Sequence, residues 1–91
     1  MPVIRTIPIG RPTFFYMSGT SNSTYTVHEF GFDSNTIIFV NDSGTSISVS
    51  LDGNTLAGEI KNGESITFLS LRKSKLYEHG IGSEQYRIWA Y

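Results

Sequence analysis

Between Thr45 and Leu51 the chain alternates without a break, with Ile47, Val49 and Leu51 at odd positions and Ser46, Ser48 and Ser50 between them. That is the period of a strand with one apolar and one hydroxyl-bearing face, and a helix would scatter the same three apolar side chains around its axis. The stretch belongs to a longer unit, Thr36 to Gly53, which reads as two strands, each closed by a turn. Thr36 to Val40 (TIIFV) is apolar on both faces and so predicts a central strand. Asn41 to Gly44 predicts a tight connection, because Asn and Asp side chains bond their own backbone and Gly accepts positive φ. Asp52-Gly53 predicts a two-residue hairpin turn of type I′.

The rest of the chain keeps this grammar. Thr13 to Met17 (TFFYM) is a strand with apolar side chains on both faces, and Ser18 to Ser23 is a loop by composition. Thr24 to Phe30 sets Tyr25, Val27 and Glu29 against Thr24, Thr26, His28 and Phe30. Gly31 to Asn35 reads as a turn. Asn54 to Ile60 is a weaker strand with Gly58 as a bulge point. Asn62-Gly63 repeats the I′ signal. In Glu64 to Leu71 the apolar phase changes near Phe68, which predicts a bulge or a strand end there. Arg72 to Lys75 reads as a polar turn, Leu76 to Glu78 as a short strand and Glu78 to Glu84 as a loop. Gln85 to Tyr91 closes the chain, with Tyr86, Ile88 and Ala90 on one face and Arg87, Trp89 and Tyr91 on the other.

No helical stripe of useful length interrupts the series. About seven strands of five to eight residues, with turns at regular spacing, predict an all-β fold. The expected architecture is a small antiparallel β-sandwich, jelly-roll or immunoglobulin-like, with a small Greek-key barrel as the alternative. Residues 13–91 form the sandwich domain in this reading. Residues 1–12 form an extended arm, because Pro2, Pro8 and Pro12 each remove a backbone donor and bias the preceding residue toward extended geometry.

Composition narrows the function classes. Seven basic and eight acidic residues give a formal charge of −1, without the clustered Lys and Arg of a nucleic-acid binder. Arg72-Lys73-Ser74-Lys75 is too short to change that and reads as a solvated turn. No stretch approaches the roughly 18 apolar residues of a membrane helix. The opening MPVIRTIPIGRP has neither the apolar core nor the cleavage site of a secretory signal. The glycosylation sequons at Asn22 and Asn41 are therefore read as turn chemistry. With no cysteine, thiolate chemistry and disulfides are excluded. Small domains without such staples often gain stability by association, which makes a homo-oligomer the expectation.

The catalytic inventory is thin. His28 and His79 are the only histidines, and a metal site would need both plus carboxylates. His28 and Glu29 are neighbours, so on a strand they point to opposite faces. No serine sits in a G-x-S-x-G elbow. Gly80-Ile81-Gly82 resembles half of a phosphate loop but lacks the lysine and the strand–turn–helix setting. The expectation is a non-enzyme with no cofactor, no metal and no catalytic residue.

Three segments carry a likeness to a known group: TIIFVNDSGTSISVSLDG, IKNGESITFLSL and the closing QYRIWAY. They resemble small virion proteins of tailed bacteriophages at Asn41 to Gly44, Ile47 to Gly53, Asn62 to Gly63 and Ile88 to Tyr91. The likeness covers about the C-terminal two thirds of the chain. It implies a structural component of a virion, assembled in the host cytoplasm: a capsid decoration protein or a piece of the neck or tail. Its partners would be neighbouring capsid, neck or tail subunits, with no nucleic acid and no membrane.

The residues expected to make those contacts are Ile4, Ile7 and Ile9 on the arm, then Phe14, Phe15 and Tyr16, with Trp89 and Tyr91 after them. An alternative role is carbohydrate or host-surface binding. In it Trp89 and Tyr91 form a stacking platform with Arg87 between them.

Overall fold

The computed structural model describes residues 14–91, apart from the side chains of residues 70 and 71. The arm expected at residues 1–12, with Ile4, Ile7 and Ile9, lies outside the described residues. Among the described residues six strands follow in order: β1 (Phe15–Thr20), β2 (Thr26–Asn41), β3 (Ile47–Ser50), β4 (Leu56–Ile60), β5 (Ser65–His79) and β6 (Gln85–Ala90). All pairings are antiparallel, in the spatial order β1-β6-β2-β5-β3-β4.

The two long strands turn this single sheet into two layers. The first half of β5 (65–69) pairs with the second half of β2 (36–40), which also borders β6, and β6 borders β1. The second half of β5 (75–79) pairs with the first half of β2 (26–29) and with β3, which borders β4. Each layer thus contains four strand segments, and β2 and β5 each serve both. This is an antiparallel all-β fold of the expected kind, its two layers formed from one continuous sheet.

The corners follow from the sequence. Along β2, even-numbered residues from His28 to Ser34 face inward, and odd-numbered residues from Ile37 to Asn41 do so beyond the corner. The phase change coincides with register shifts between Glu29 and Ser34 and between Ser34 and Thr36. Ser34 is buried there and donates its hydroxyl to the Lys73 carbonyl at 2.6 Å, tying the two corners together. In β5 the corner holds Arg72 at a φ of 54°. Gly31–Asn35 and Arg72–Lys75, expected as turns between strands, are therefore bends within continuous strands. Leu76–Glu78 is the far half of β5 rather than a separate short strand.

Ser18–Thr20, expected as loop, continues β1 because it pairs with Gln85–Arg87 on β6. Neither of the two expected I′ turns forms. The β3–β4 and β4–β5 connections have positive φ at Gly53 and Gly63 but not at the residue before each. At Gly53 the backbone is instead held by Asp52, whose carboxylate accepts the amides of Asn54 and Thr55 at 2.8 and 2.7 Å. The expected irregularity at Gly58 is present: the β3–β4 register slips by one residue between Val49–Gly58 and Ser50–Leu56.

The core lies between the layers. Ile37, Phe39, Ile88 and Ala90 from one layer meet Ile47, Val49 and Leu76 from the other, all without exposed surface. Each large aliphatic or aromatic side chain so buried contributes about 1.5–3 kcal/mol. The inward face of β6 is the Tyr86–Ile88–Ala90 face anticipated from alternation, which turns Arg87, Trp89 and Tyr91 outward.

Candidate functional site

The outer face of the β1-β6-β2-β5 layer brings together four of the five expected contact residues that fall among the described residues: Phe14, Tyr16, Trp89 and Tyr91. Register places Tyr16 beside Trp89, and Trp89 beside Ile38. Phe14 stacks on Tyr91 with ring centroids 6.0 Å apart, and Tyr16 packs against Trp89 at 5.1 Å. Phe14, Tyr16, Leu69 and Tyr91 are 61, 50, 69 and 48 % exposed, which is high for side chains of their kind. Phe15 is the exception among the expected contacts. Strand alternation turns it inward, where its ring sits 4.9 Å from Phe30 and packs on the core. It belongs to the fold rather than to this face.

At one end of the face lies a cleft of about 390 Å³ lined by Tyr16, Ser18, Thr20, Asp42, Gln85 and Arg87, with Gly19 and Tyr86 beneath. Its polar centre is a two-point pair. Arg87 donates from Nε to one Asp42 oxygen at 2.7 Å and from Nη2 to the other at 2.9 Å. Both partners are held. The Asp42 amide donates to the Gln85 carbonyl at 2.9 Å, and the Arg87 guanidinium lies 5.2 Å from the Trp89 ring centroid. The hydrogen bond to Asp42 holds Arg87 above its ordinary pKa, so its charge is permanent. Arg87 does not stand between Trp89 and Tyr91 as expected but lies over the Trp89 ring, which also packs on Tyr16, while Tyr91 packs on Phe14.

A second polar group lies inside the sandwich. His28 Nε2 sits 2.9 Å from Glu78 Oε2 and 3.0 Å from the Tyr86 hydroxyl. One nitrogen cannot both donate to Glu78 and accept from Tyr86. The arrangement consistent with both distances has His28 Nε2–H donating to the carboxylate and, as a shared bond, to the Tyr86 oxygen. Burial, and then the adjacent Glu78 charge, push the Tyr86 phenol well above its ordinary pKa. Glu78 is fully buried, and its Oε1 lacks a partner among the described residues. The partner of His28 is thus Glu78, fifty residues along, and not its neighbour Glu29. Among the described residues no group of three or more His, Asp or Glu side chains is placed to hold a metal ion.

The half phosphate loop at Gly80–Gly82 has an internal occupant. Glu84 is buried and accepts the hydroxyls of Ser21 and Thr45 and the amides of Ile81 and Gly82, the last two at 2.8 and 3.2 Å. A Cβ at Gly80 would come within 2.1 Å of Glu84 Oε1, so only glycine fits. The amides that a phosphate loop would offer an anion are taken by the chain's own carboxylate. Asp42, Glu78 and Glu84 went unnoticed as site residues in the sequence, where each follows or starts a turn. The one available signal for Asp42 was that its turn follows a central strand.

No family model matches the chain, and no curated protein does. Solved structures do. A cupin-2 domain containing protein from Shewanella frigidimarina aligns over 85 % of this chain and 69 % of its own, at 9 % identity and a TM-score of 0.57. A protein from Neisseria meningitidis aligns over 91 % of this chain and 80 % of its own, at 18 % identity and a TM-score of 0.53. A chain of Bacillus endospore appendages, described as a family of disulfide-linked pili, covers 99 % of this chain and 97 % of its own at 15 % identity, with a TM-score of 0.47. At these identities the first two matches establish a shared fold and nothing of activity, and the third carries no argument.

Proposed function

We propose that this chain is a non-enzymatic structural subunit that binds neighbouring protein subunits through the outer face of its β1-β6-β2-β5 layer and its N-terminal arm. The observation that carries this reading is the exposure of Phe14, Tyr16, Leu69 and Tyr91 together on one face of a rigid sandwich. Aromatic side chains of this kind dominate protein interfaces, because they bury much area for little lost conformational freedom. The face is uncharged apart from the Asp42–Arg87 pair at its end, so an apolar partner surface meets it with little desolvation cost.

The assembly to which the sequence points is the virion of a tailed bacteriophage. That attribution is supported by the strand-and-turn grammar of Thr36–Gly53, Asn62–Gly63 and Ile88–Tyr91 and by nothing in the comparisons. The neighbours would be capsid, neck or tail subunits of the same particle. Twelve extended residues reach at most about 40 Å, enough to cross onto an adjoining subunit.

Two variants test the reading in the assembled particle: deletion of residues 1–12, and Tyr16→Lys combined with Leu69→Lys. Each is expected to lower occupancy on the particle while the isolated domain keeps its unfolding midpoint. Unchanged occupancy in both would overturn the proposal.

A further inference from the structure

The cleft beside Arg87 has a chemistry that an apolar docking face does not need. Two of the five guanidinium N–H groups are committed to Asp42, which leaves three. The Asp42 oxygens each accept one of those bonds and keep further lone pairs. Donors and acceptors therefore stand side by side at the cleft, fixed by the ion pair and by the Trp89 ring behind it. The pair is formally neutral. An anion would meet the Asp42 carboxylate, and an amine would meet Arg87. The complement is a group that donates and accepts at adjacent atoms, which is what two neighbouring hydroxyls do. One wall of the cleft is the half-exposed Tyr16 ring, which suits the apolar C–H face of a pyranose. Ser18, Thr20 and Gln85 add short polar groups around the other sides. A volume of about 390 Å³ falls in the range of small-ligand sites.

We propose that this cleft binds a neutral saccharide, with a vicinal diol bridging Arg87 and Asp42 and one sugar face packed on Tyr16. This differs from a platform made of Trp89 and Tyr91. Tyr16 supplies the stacking surface, and Trp89 is a positioning residue that holds the Arg87 guanidinium. The site is shallow and solvent-facing, so affinity for a single sugar is weak, with Kd on the order of 1 mM.

The test is an NMR amide-shift titration of the isolated full chain with methyl α-mannopyranoside, methyl β-galactopyranoside and methyl α-glucopyranoside. N-acetylneuraminic acid serves as the charged control, and monodeoxy analogues, each missing one hydroxyl of the diol, serve as the specificity control. At least one neutral sugar is expected to give saturable shifts at Gly19, Thr20, Gln85 and Arg87. Arg87→Ala and Asp42→Asn should each weaken it about tenfold or more, as should the matching deoxy sugar. Both side chains lie at the surface, and unchanged shifts in the core amides would confirm that the variants fold. The proposal is overturned if no neutral sugar shifts those amides, if only the charged sugar does, or if the Arg87 variant or the deoxy sugar binds as well as the parent. Because the isolated chain is used, none of these outcomes depends on whether the protein assembles onto a particle.

Discussion

His28 and Glu78 face each other from the two long strands, Nε2 to Oε2 at 2.9 Å, and Glu78 has no exposed surface. A buried pair of this kind is strongly interdependent even where its net contribution is small. His28→Ala is expected to destabilise the fold by about 3–5 kcal/mol, because it removes the hydrogen-bond partner of a fully buried carboxylate. Replacing all three polar groups at once, as His28→Leu, Glu78→Met and Tyr86→Phe, should recover most of that loss. Urea unfolding of the single and triple variants measures both. A triple variant no more stable than His28→Ala would show that packing, and not charge burial, sets the cost.

Asn41 makes a separate prediction. Its side chain is fully buried, donates to the carbonyls of Thr45 and Ile60 at 2.7 and 2.8 Å, and accepts the amide and hydroxyl of Ser43 at 2.9 Å each. It thereby closes the turn between β2 and β3 and ties it to the end of β4. Asn41→Asp keeps the shape but sets an acceptor against two carbonyls. A loss of about 2–3 kcal/mol is expected in chemical denaturation. Although Asn41 lies in a glycosylation sequon, the burial of its amide leaves no room for a glycan on the folded chain.

How far the sequence reached can be seen in these same places. Alternation assigned the inward face of β6 and, at Ile47 and Val49, that of β3, but Ser50, on the hydroxyl-bearing face by alternation, is fully buried and Leu51 lies beyond the strand, partly buried. Asn41 was read as a turn residue, and the turn is there. Continuity was not legible. Gly31–Asn35 and Arg72–Lys75 have turn composition, yet the chain only bends, since the pairing that carries β2 and β5 across both layers is long-range. The bidentate Asp42–Arg87 pair spans 45 residues and the His28–Glu78 pair 50, so neither leaves a local pattern. Phe15 was misplaced for another reason. In TFFYM both faces are apolar, and alternation alone does not say which face is the inner one.

The corner of β5 offers a stabilising change. Arg72 has a φ of 54°, in the left-handed region where a Cβ crowds the following carbonyl. The strain is about 1–2 kcal/mol, against about 0.5–1 kcal/mol of extra backbone entropy lost by glycine on folding. Arg72→Gly should therefore raise stability slightly, by about 0.5–1 kcal/mol, with Asn giving a smaller gain. Arg72→Val should lower it. Thermal unfolding of the three variants orders them, and a destabilised glycine variant would show that the Arg72 side chain contributes more than its backbone costs.

Acid should weaken the fold through Glu84. The hydroxyls of Ser21 and Thr45 and then the amide of Ile81 hold its carboxyl at about 2, against an ordinary 4.5. A depressed value means that the folded state favours the ionised form. The stabilisation is then present in full above the ordinary carboxyl range and is lost as pH falls from about 4.5 toward 2. Protonation also turns an oxygen that accepts from Ser21, Thr45 and the loop amides into a donor, so the tie between the Gly80–Ser83 loop, the end of β1 and the start of β3 loosens. In Glu84→Gln the amide brings two donors into a site built for an acceptor. Its unfolding midpoint should be lower than the parent's at pH 7. It should also vary less between pH 5 and pH 2. Urea unfolding at intervals across that range checks both statements, and an equal acid slope in parent and variant would assign the acid sensitivity to other carboxylates, Asp52 first among them, whose value is also depressed by backbone amides of its turn.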